Sequence, residues 1–149
     1  MTRLSILLAV LSLAPAGVAQ HLPFQYAAKF VCGKPNSRVV APGMYFTVVN
    51  VHNPGREETG FLKKFAVAFP GQKPGPVTKL IDAKLGSDEA FAIECREIME
   101  RTRSSGFVEG FVVFESKVEL DVVAVYTVSG SGGQVQTMEL ERVPVRRGQ

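Results

Sequence analysis

Tryptophan is absent from this chain of 149 residues, and histidine and cysteine occur only twice each. The absence of tryptophan weighs against a carbohydrate site, because ligand pockets rely on aromatic side chains and sugars usually stack on one. The two cysteines are not arranged as C-x-x-C, and the chain lacks the four ligands that a structural zinc site needs. No G-x-S-x-G motif occurs, and the glycine-rich segment 129–133 leads into a predicted strand rather than a helix. We therefore expect no cofactor, no metal ion and no enzymatic activity.

Neither sign of charge is in large excess, because 17 basic and 14 acidic residues give a formal net charge of +3. Acidic and basic residues are interspersed, so the chain shows no electrostatic footprint for nucleic acid. Beyond the first nineteen residues, no apolar run is long enough to span a bilayer. We expect neither nucleic-acid binding nor stable membrane insertion of the mature protein.

The N-terminus, in contrast, has the layout of a secretory signal peptide. Arg3 provides a positive start, residues 4–13 are mostly apolar, and small residues follow up to Ala19. The apolar run of about ten residues is shorter than the roughly 20 that cross a membrane as a helix. We expect cleavage after Ala19, so that 1–19 is the signal peptide and 20–149 a single domain in the periplasm or outside the cell.

Export gives the two cysteines a simple interpretation. In an oxidising compartment, a chain with only Cys32 and Cys95 is expected to join them in one disulfide bond. Closing a loop of roughly 64 residues stabilises a fold by about 4 kcal/mol on the chain-entropy account. The disulfide is therefore predicted to be structural.

Short β-rich runs separated by proline and glycine dominate the mature chain, which is the pattern of an all-β protein. We predict a two-layer antiparallel β-sandwich of seven or eight strands, jelly-roll or immunoglobulin-like. Segment 87–102 fits either a helix or a strand, and we favour a strand over 90–96 followed by a helical turn. The predicted strands are 24–32, 44–52, 61–69, 77–85, 90–96, 107–115, 120–128 and 134–143.

Two expectations about packing follow from this strand assignment. Residues 116–119 have the length of a hairpin connection between their flanking strands. Four phenylalanines are expected in the core, each contributing on the order of 2–3 kcal/mol when fully buried. They are Phe65, Phe69, Phe111 and Phe114.

The strand 107–115 is apolar on both faces, so one face is expected to lie outside the core. An exposed apolar patch of this kind marks a partner surface or an oligomer interface. Cover by the proline-rich segment 70–76 or by 97–106 is the alternative. The two candidate faces are Val108, Val112 and Phe114, or Phe107, Phe111 and Val113.

Polar candidates for a site are few. His52 stands where a strand meets the turn Asn53-Pro54-Gly55, and it either binds a ligand or simply caps the turn. With Asn53, Tyr45 and Tyr126 it forms our candidate ligand-binding set at one end of the sandwich. A hydrolase would need His52 to lie against an acid such as Glu115 or Asp121.

Four phrases, at 26–33, 49–55, 63–76 and 115–127, resemble a group of small exported bacterial proteins of unassigned function. The E-S-x-x-x-L-x-V-V arrangement at 115–123 is similar to a hairpin in β-sandwich proteins of the sensory rhodopsin transducer type. That second resemblance implies a jelly-roll-like sandwich able to oligomerise and to bind a partner or a small ligand. Those relatives are cytosolic, so the rhodopsin role is not carried over to an exported chain.

Taken together, the sequence predicts an exported, non-catalytic β-sandwich module that binds itself, another protein or a component of the cell envelope. A small-ligand or carbohydrate-binding protein is the alternative. A hydrolase using His52 with a carboxylate is a third hypothesis.

Overall fold

The computed structural model describes residues 22–36, 40–71, 73–130 and 132–147. The predicted signal peptide and its cleavage site lie outside these residues. Nine strands and one helix are assigned within them. In chain order they are β1 (Phe24–Gly33), β2 (Met44–His52), β3 (Thr59–Ala68), β4 (Ile81–Leu85), β5 (Ala90–Glu94), α1 (Cys95–Thr102), β6 (Phe107–Ser116), β7 (Asp121–Ser129), β8 (Val135–Arg142) and β9 (Arg146–Arg147).

The strands form one antiparallel sheet in the order β4-β3-β6-β1-β2-β7-β8, with β5 paired to β2 and β9 paired to β1. The junction between β1 and β2 is narrow, because a single register pair, Gly33 with Tyr45, joins them. The sheet folds over at this corner, so that β4-β3-β6-β1 forms one layer and β5-β2-β7-β8 the other. The predicted all-β, two-layer antiparallel fold is confirmed.

The core lies between the two layers and follows the alternation of side chains along the strands. Alternate residues of β1, from Tyr26 to Cys32, point inward and are buried. The largest side chains of the core, all less than 2% exposed, come from both layers, which is why burying them holds the layers together. They include Tyr26, Phe30, Phe65 and Phe114 from one layer and Val49, Val51, Ile93 and Val122 from the other.

Most predicted strands are found within two residues of their expected ends, and β2 coincides with 44–52. Segment 87–102 divides as a strand over Ala90–Glu94 and a helix over Cys95–Thr102. The helix buries Ile98 and ends at Thr102, and the capping residue Arg103 that follows takes the left-handed conformation. No helix among the described residues is long and apolar enough to cross a membrane.

The connection between β6 and β7 is not a hairpin, which corrects the expectation for 116–119. The two strands are not neighbours: β6 pairs with β1 and β3, whereas β7 pairs with β2 and β8. The segment therefore crosses from one layer to the other. Leu120 is buried in this crossing, and its backbone N–H donates to the Tyr26 hydroxyl over 2.7 Å.

Two of the four phenylalanines expected in the core are elsewhere. Phe65 and Phe114 are fully buried, whereas Phe69 is 57% and Phe111 is 42% exposed. Phe69 follows the last residue of β3, where Pro70 prevents the ladder from continuing. Phe111 and Phe114 are three residues apart in one strand, so they face opposite sides of the sheet.

The predicted disulfide between Cys32 and Cys95 is present and lies at the corner where the sheet folds over. It joins the end of β1 to the first residue of α1. Beside it, the Thr47 hydroxyl accepts from the N–H of Val31 and donates to its carbonyl, both over 2.9 Å. A side chain thus replaces the backbone ladder where β1 and β2 separate. A disulfide fits a protein that works outside the reducing cytoplasm.

Lys63 is a buried cation that the strand pattern places on the inner face of β3. Its ammonium lies 2.8 Å from a carboxylate oxygen of Glu97 and 4.9 Å from the centre of the Phe91 ring. The ion pair and the ring together offset the cost of removing the charge from water. Lys63 thereby ties β3 to the first turn of α1.

Replacing Tyr26 by phenylalanine is expected to lower the free energy of unfolding by about 1–3 kcal/mol, because it leaves the buried N–H of Leu120 without an acceptor. Burial raises the pKa of the Tyr26 hydroxyl above its usual value near 10. The folded state therefore favours the neutral hydroxyl. The contribution of this hydroxyl to the free energy of unfolding is complete below about pH 10 and is lost as the pH rises through the pKa of the folded state.

Urea unfolding at about pH 8 and about pH 11 checks both statements. The difference in free energy of unfolding between wild type and Tyr26→Phe should be smaller at the higher pH. A gap that is absent at the lower pH, or one that widens with pH, would contradict this account of Tyr26.

Candidate functional site

The structure separates the four predicted ligand-binding residues into two pairs. Tyr45 and His52 lie near opposite ends of β2, roughly 23 Å apart along an extended strand. Asn53 follows His52 directly. Tyr126 belongs to β7 and lies opposite Thr47 of β2, near the Tyr45 end of that strand. One ligand of ordinary size cannot touch both pairs, so the candidate set does not form a single site.

Asn53 serves the turn after β2 rather than a ligand, which corrects its assignment to a binding site. Its side chain is buried. The amide nitrogen donates to the carbonyls of Glu57 and Gly86, over 2.8 and 2.9 Å, and the amide oxygen accepts from the N–H of Gly55 over 3.0 Å. With both ends engaged by backbone groups, this side chain holds the loop in place.

His52 lies between two carboxylates. Its Nδ1 is 3.3 Å from an oxygen of Asp121, and its Nε2 is 3.5 Å from an oxygen of Asp88. Asp121 also accepts from Arg142 over 2.9 Å. The contact with Asp121 that the hydrolase hypothesis required is therefore present. Among the residues that the structure describes, both ring nitrogens therefore face acids and not a hydroxyl or thiol that a histidine would activate as a nucleophile.

Tyr45 and Tyr126 line a groove of about 350 Å³ between β1 and the hairpin formed by β7 and β8. The Tyr45 hydroxyl donates to the carbonyl of Ala41 over 2.7 Å. The Tyr126 hydroxyl donates to a carboxylate oxygen of Glu141 over 2.8 Å. Lys29 and Glu139 add a charge of each sign to the groove wall.

Burial, and then the hydrogen bond to Glu141, raise the pKa of the Tyr126 hydroxyl far above its ordinary value. At neutral pH the group is a donor already used by that carboxylate. Lys29 is likewise engaged, 2.7 Å from Glu109. Charge and aromatic surface are present in this groove, but two of its polar groups are committed to partners within the protein.

A second surface lies on the side of β2, β7 and β8 that faces away from the core. We call it the outer face. The registers place Phe46, Thr127 and Met138 in one row and Val48, Val125 and Leu140 in the next. Phe46 is 45%, Met138 70% and Leu140 68% exposed. The outer face is therefore an apolar stripe, three strands wide and open to solvent.

Polar residues continue the same rows toward the far end of β2. Asn50, Val123 and Arg142 form the next row, and His52 and Asp121 the last. The contact of His52 with Asp121 and the ion pair of Arg142 with Asp121 thus border the apolar stripe. An apolar centre with a polar rim is the usual anatomy of a protein–protein interface.

Sequence reasoning placed the exposed apolar strand face on β6 instead. Of its two candidate sets, the one with Val108, Val112 and Phe114 is buried in the core. The set with Phe111 does face outward, but the Lys29 ammonium lies 5.5 Å from the centre of that ring. The alternation of Met138 and Leu140 with Glu139 and Glu141 was the available signal for β8.

The acidic residues around 115–121 are taken up by ion pairs. Glu115 lies 2.8 Å from Lys64, and Glu119 lies 3.6 Å from Arg147. Within the described part of the chain, no group of three or more histidine, cysteine, aspartate or glutamate side chains is placed to hold a metal ion.

The fold and these surfaces define an antiparallel all-β sandwich with one disulfide. No protein-family model matches the chain. No curated protein matches it either. The chain is similar in fold to the crystal structure of Thermotoga maritima 1070, with a TM-score of 0.55 and 8% sequence identity, over 87% of this chain and 98% of that one. At this identity the likeness concerns the fold alone, and the resemblance to transducer-type sandwiches stays a prediction.

Proposed function

We propose that this protein is an exported, non-catalytic binding module whose outer face docks on another protein of the cell envelope. The signal-peptide pattern of residues 1–19 and the disulfide between Cys32 and Cys95 support export. The apolar stripe with its polar rim is the observation that carries the binding role.

Exposed apolar surface on this scale is costly for a protein alone in water. Single exposed apolar residues are ordinary, whereas a contiguous patch marks a surface that another molecule covers. Phe46, Met138 and Leu140 lie in adjacent rows, so a partner seated on them would remove all three from water at once. An aromatic side chain and a methionine are also among the residues enriched at interfaces.

A small-ligand-binding protein is the second candidate, and the groove beside Tyr126 is the observation that favours it. Its volume suits a small molecule, and it combines aromatic walls with Lys29 and Glu139. The internal hydrogen bond between Tyr126 and Glu141 weakens this alternative, because a ligand would have to replace it. Against the hydrolase hypothesis, the described residues in contact with the ring nitrogens of His52 are the carboxylates Asp88 and Asp121, not a nucleophile.

Site-specific photo-crosslinking tests the binding role. A benzophenone amino acid in place of Leu140 is expected to form a discrete adduct in intact envelopes. The matched control is the same substitution at Leu80, an apolar residue that is 50% exposed and lies outside the outer face. Once the adduct has identified the partner, Leu140→Lys in the protein without benzophenone is expected to reduce the amount of partner that co-purifies about tenfold. Leu80→Lys is expected to leave that amount unchanged.

Equal adducts from the two positions, or none from position 140, would contradict a docking role for the outer face. An adduct between two copies of the chain would keep a docking role for the outer face but would contradict another envelope protein as the partner.

A further inference from the structure

β8 is a strand with one unoccupied edge. It pairs with β7 along its length, and no strand in the described part of the chain pairs with its other side. All eight of its residues are exposed. An edge of this length offers a row of backbone donors and acceptors to another chain.

The backbone register shows which groups point outward. The N–H of Val143 donates to the carbonyl of Val122 over 2.9 Å, so it points toward β7. In an antiparallel pair this direction alternates with each residue. The N–H and carbonyl groups of Met138, Leu140 and Arg142 therefore point away from β7, to the unoccupied edge.

The side chains along this edge alternate in chemistry as well. Met138 and Leu140 continue the apolar outer face, whereas Glu139 and Glu141 face the groove beside Tyr126. An incoming strand would place its residues opposite these in the same alternation. Apolar residues would extend the outer face, and residues facing Glu139 and Glu141 would gain by carrying positive charge.

A second copy of β8 fits this edge poorly. Two-fold pairing centred on Glu139 sets that carboxylate against its own copy, and pairing centred on Leu140 sets Glu139 against Glu141. Centring on Met138 puts the two Glu139 side chains at diagonal positions, roughly 7–8 Å apart. Each of these three registers, which are centred on the middle residues of β8, brings like charges together, which is destabilising at neutral pH.

We propose that the partner of this protein adds to the edge of β8 as an extended strand in which basic and apolar residues alternate. This inference rests on the proposed function, because it names the chemistry of the protein that the outer face receives. Backbone hydrogen bonds from Met138, Leu140 and Arg142 supply the attachment, and the side-chain alternation supplies the specificity.

A seven-residue peptide alternating valine and lysine is the probe. Added to the full-length, oxidised protein, it is expected to slow hydrogen exchange at the amides of Met138, Leu140 and Arg142. The amides of Glu139 and Glu141 point toward β7, so their exchange changes little. A peptide alternating valine and glutamate is expected to bind about tenfold more weakly, because its acids face Glu139 and Glu141.

Charge reversal provides the matched variants. Glu139→Lys combined with Glu141→Lys is expected to invert the preference, so that the valine–glutamate peptide binds more tightly. Glu57→Lys combined with Glu100→Lys makes the same change in net charge at exposed positions elsewhere and should leave the preference intact.

The inference is overturned if the valine–lysine peptide does not bind, or binds without slowing exchange at the three amides. It is also overturned if light scattering shows a dimer and hydrogen exchange at those three amides is already slow in that dimer without peptide. The strand at the edge of β8 would then come from a second copy of the chain. Crosslinking at Leu140 is independent of these results, so the docking role of the outer face can survive either failure.

Discussion

Removing the disulfide by Cys32→Ala and Cys95→Ala is expected to lower the free energy of unfolding by about 4 kcal/mol. The bond closes a segment of 63 positions, and without it the unfolded chain regains the freedom that the closed loop denies. Folded-state effects act in the same direction. The bond holds α1 against the corner of the sheet, where the Thr47 N–H lies 3.1 Å from the sulfur of Cys95.

Urea unfolding of wild type and double variant, each with and without reductant, measures this effect. For a domain of this size, the loss corresponds to a decrease in Tm of about 15 °C. Reductant should lower the free energy of unfolding of wild type to that of the variant, and it should leave the value for the variant unchanged. A difference below about 1 kcal/mol would show that the sheet corner is stable without the bond.

Phe114→Ala and Phe111→Ala are expected to differ strongly although they change the same residue type in one strand. Phe114 is fully buried and packs against Phe61, with ring centres 6.2 Å apart. Truncating it leaves a cavity between the layers, at a cost of about 3–5 kcal/mol. Phe111 is 42% exposed on the other side of the sheet, so its loss should cost less than about 1 kcal/mol.

Thermal and urea unfolding of both variants determine which side of β6 faces the core. Similar losses for the two variants would mean that β6 is covered on both faces. A larger loss for Phe111→Ala would place the strand in the opposite orientation. Either outcome would contradict the register that pairs β6 with β1 and β3.

Local patterns in the sequence were sufficient to predict where the strands lie but not which strands pair with each other in the sheet. The run from Met44 to His52, ended by Asn53-Pro54-Gly55, predicts β2 to the residue, because β-branched alternation and a turn signal coincide there. The crossing at 116–119 has the length of a hairpin, and length alone does not tell which strands pair. That information lies in non-local contacts between the two layers.

The binding surfaces were harder to predict for the same reason. Tyr45 and Tyr126 do share a groove, because β2 and β7 are neighbours in the sheet. Asn53 was assigned to a ligand because its position in a turn suits either role, and only the burial of its amide separates them. The outer face combines residues from three strands, so no single segment of sequence shows it.

Hydroxyl-radical footprinting of Met138 tests most directly whether a partner covers the outer face. In the purified protein, Met138 is 70% and Phe69 is 57% exposed, so both should be labelled readily. In intact envelopes we expect labelling of Met138 to fall severalfold while that of Phe69, which lies outside the outer face, is unchanged. Equal labelling of Met138 in both settings would mean that nothing occupies this surface, and it would contradict the proposed function.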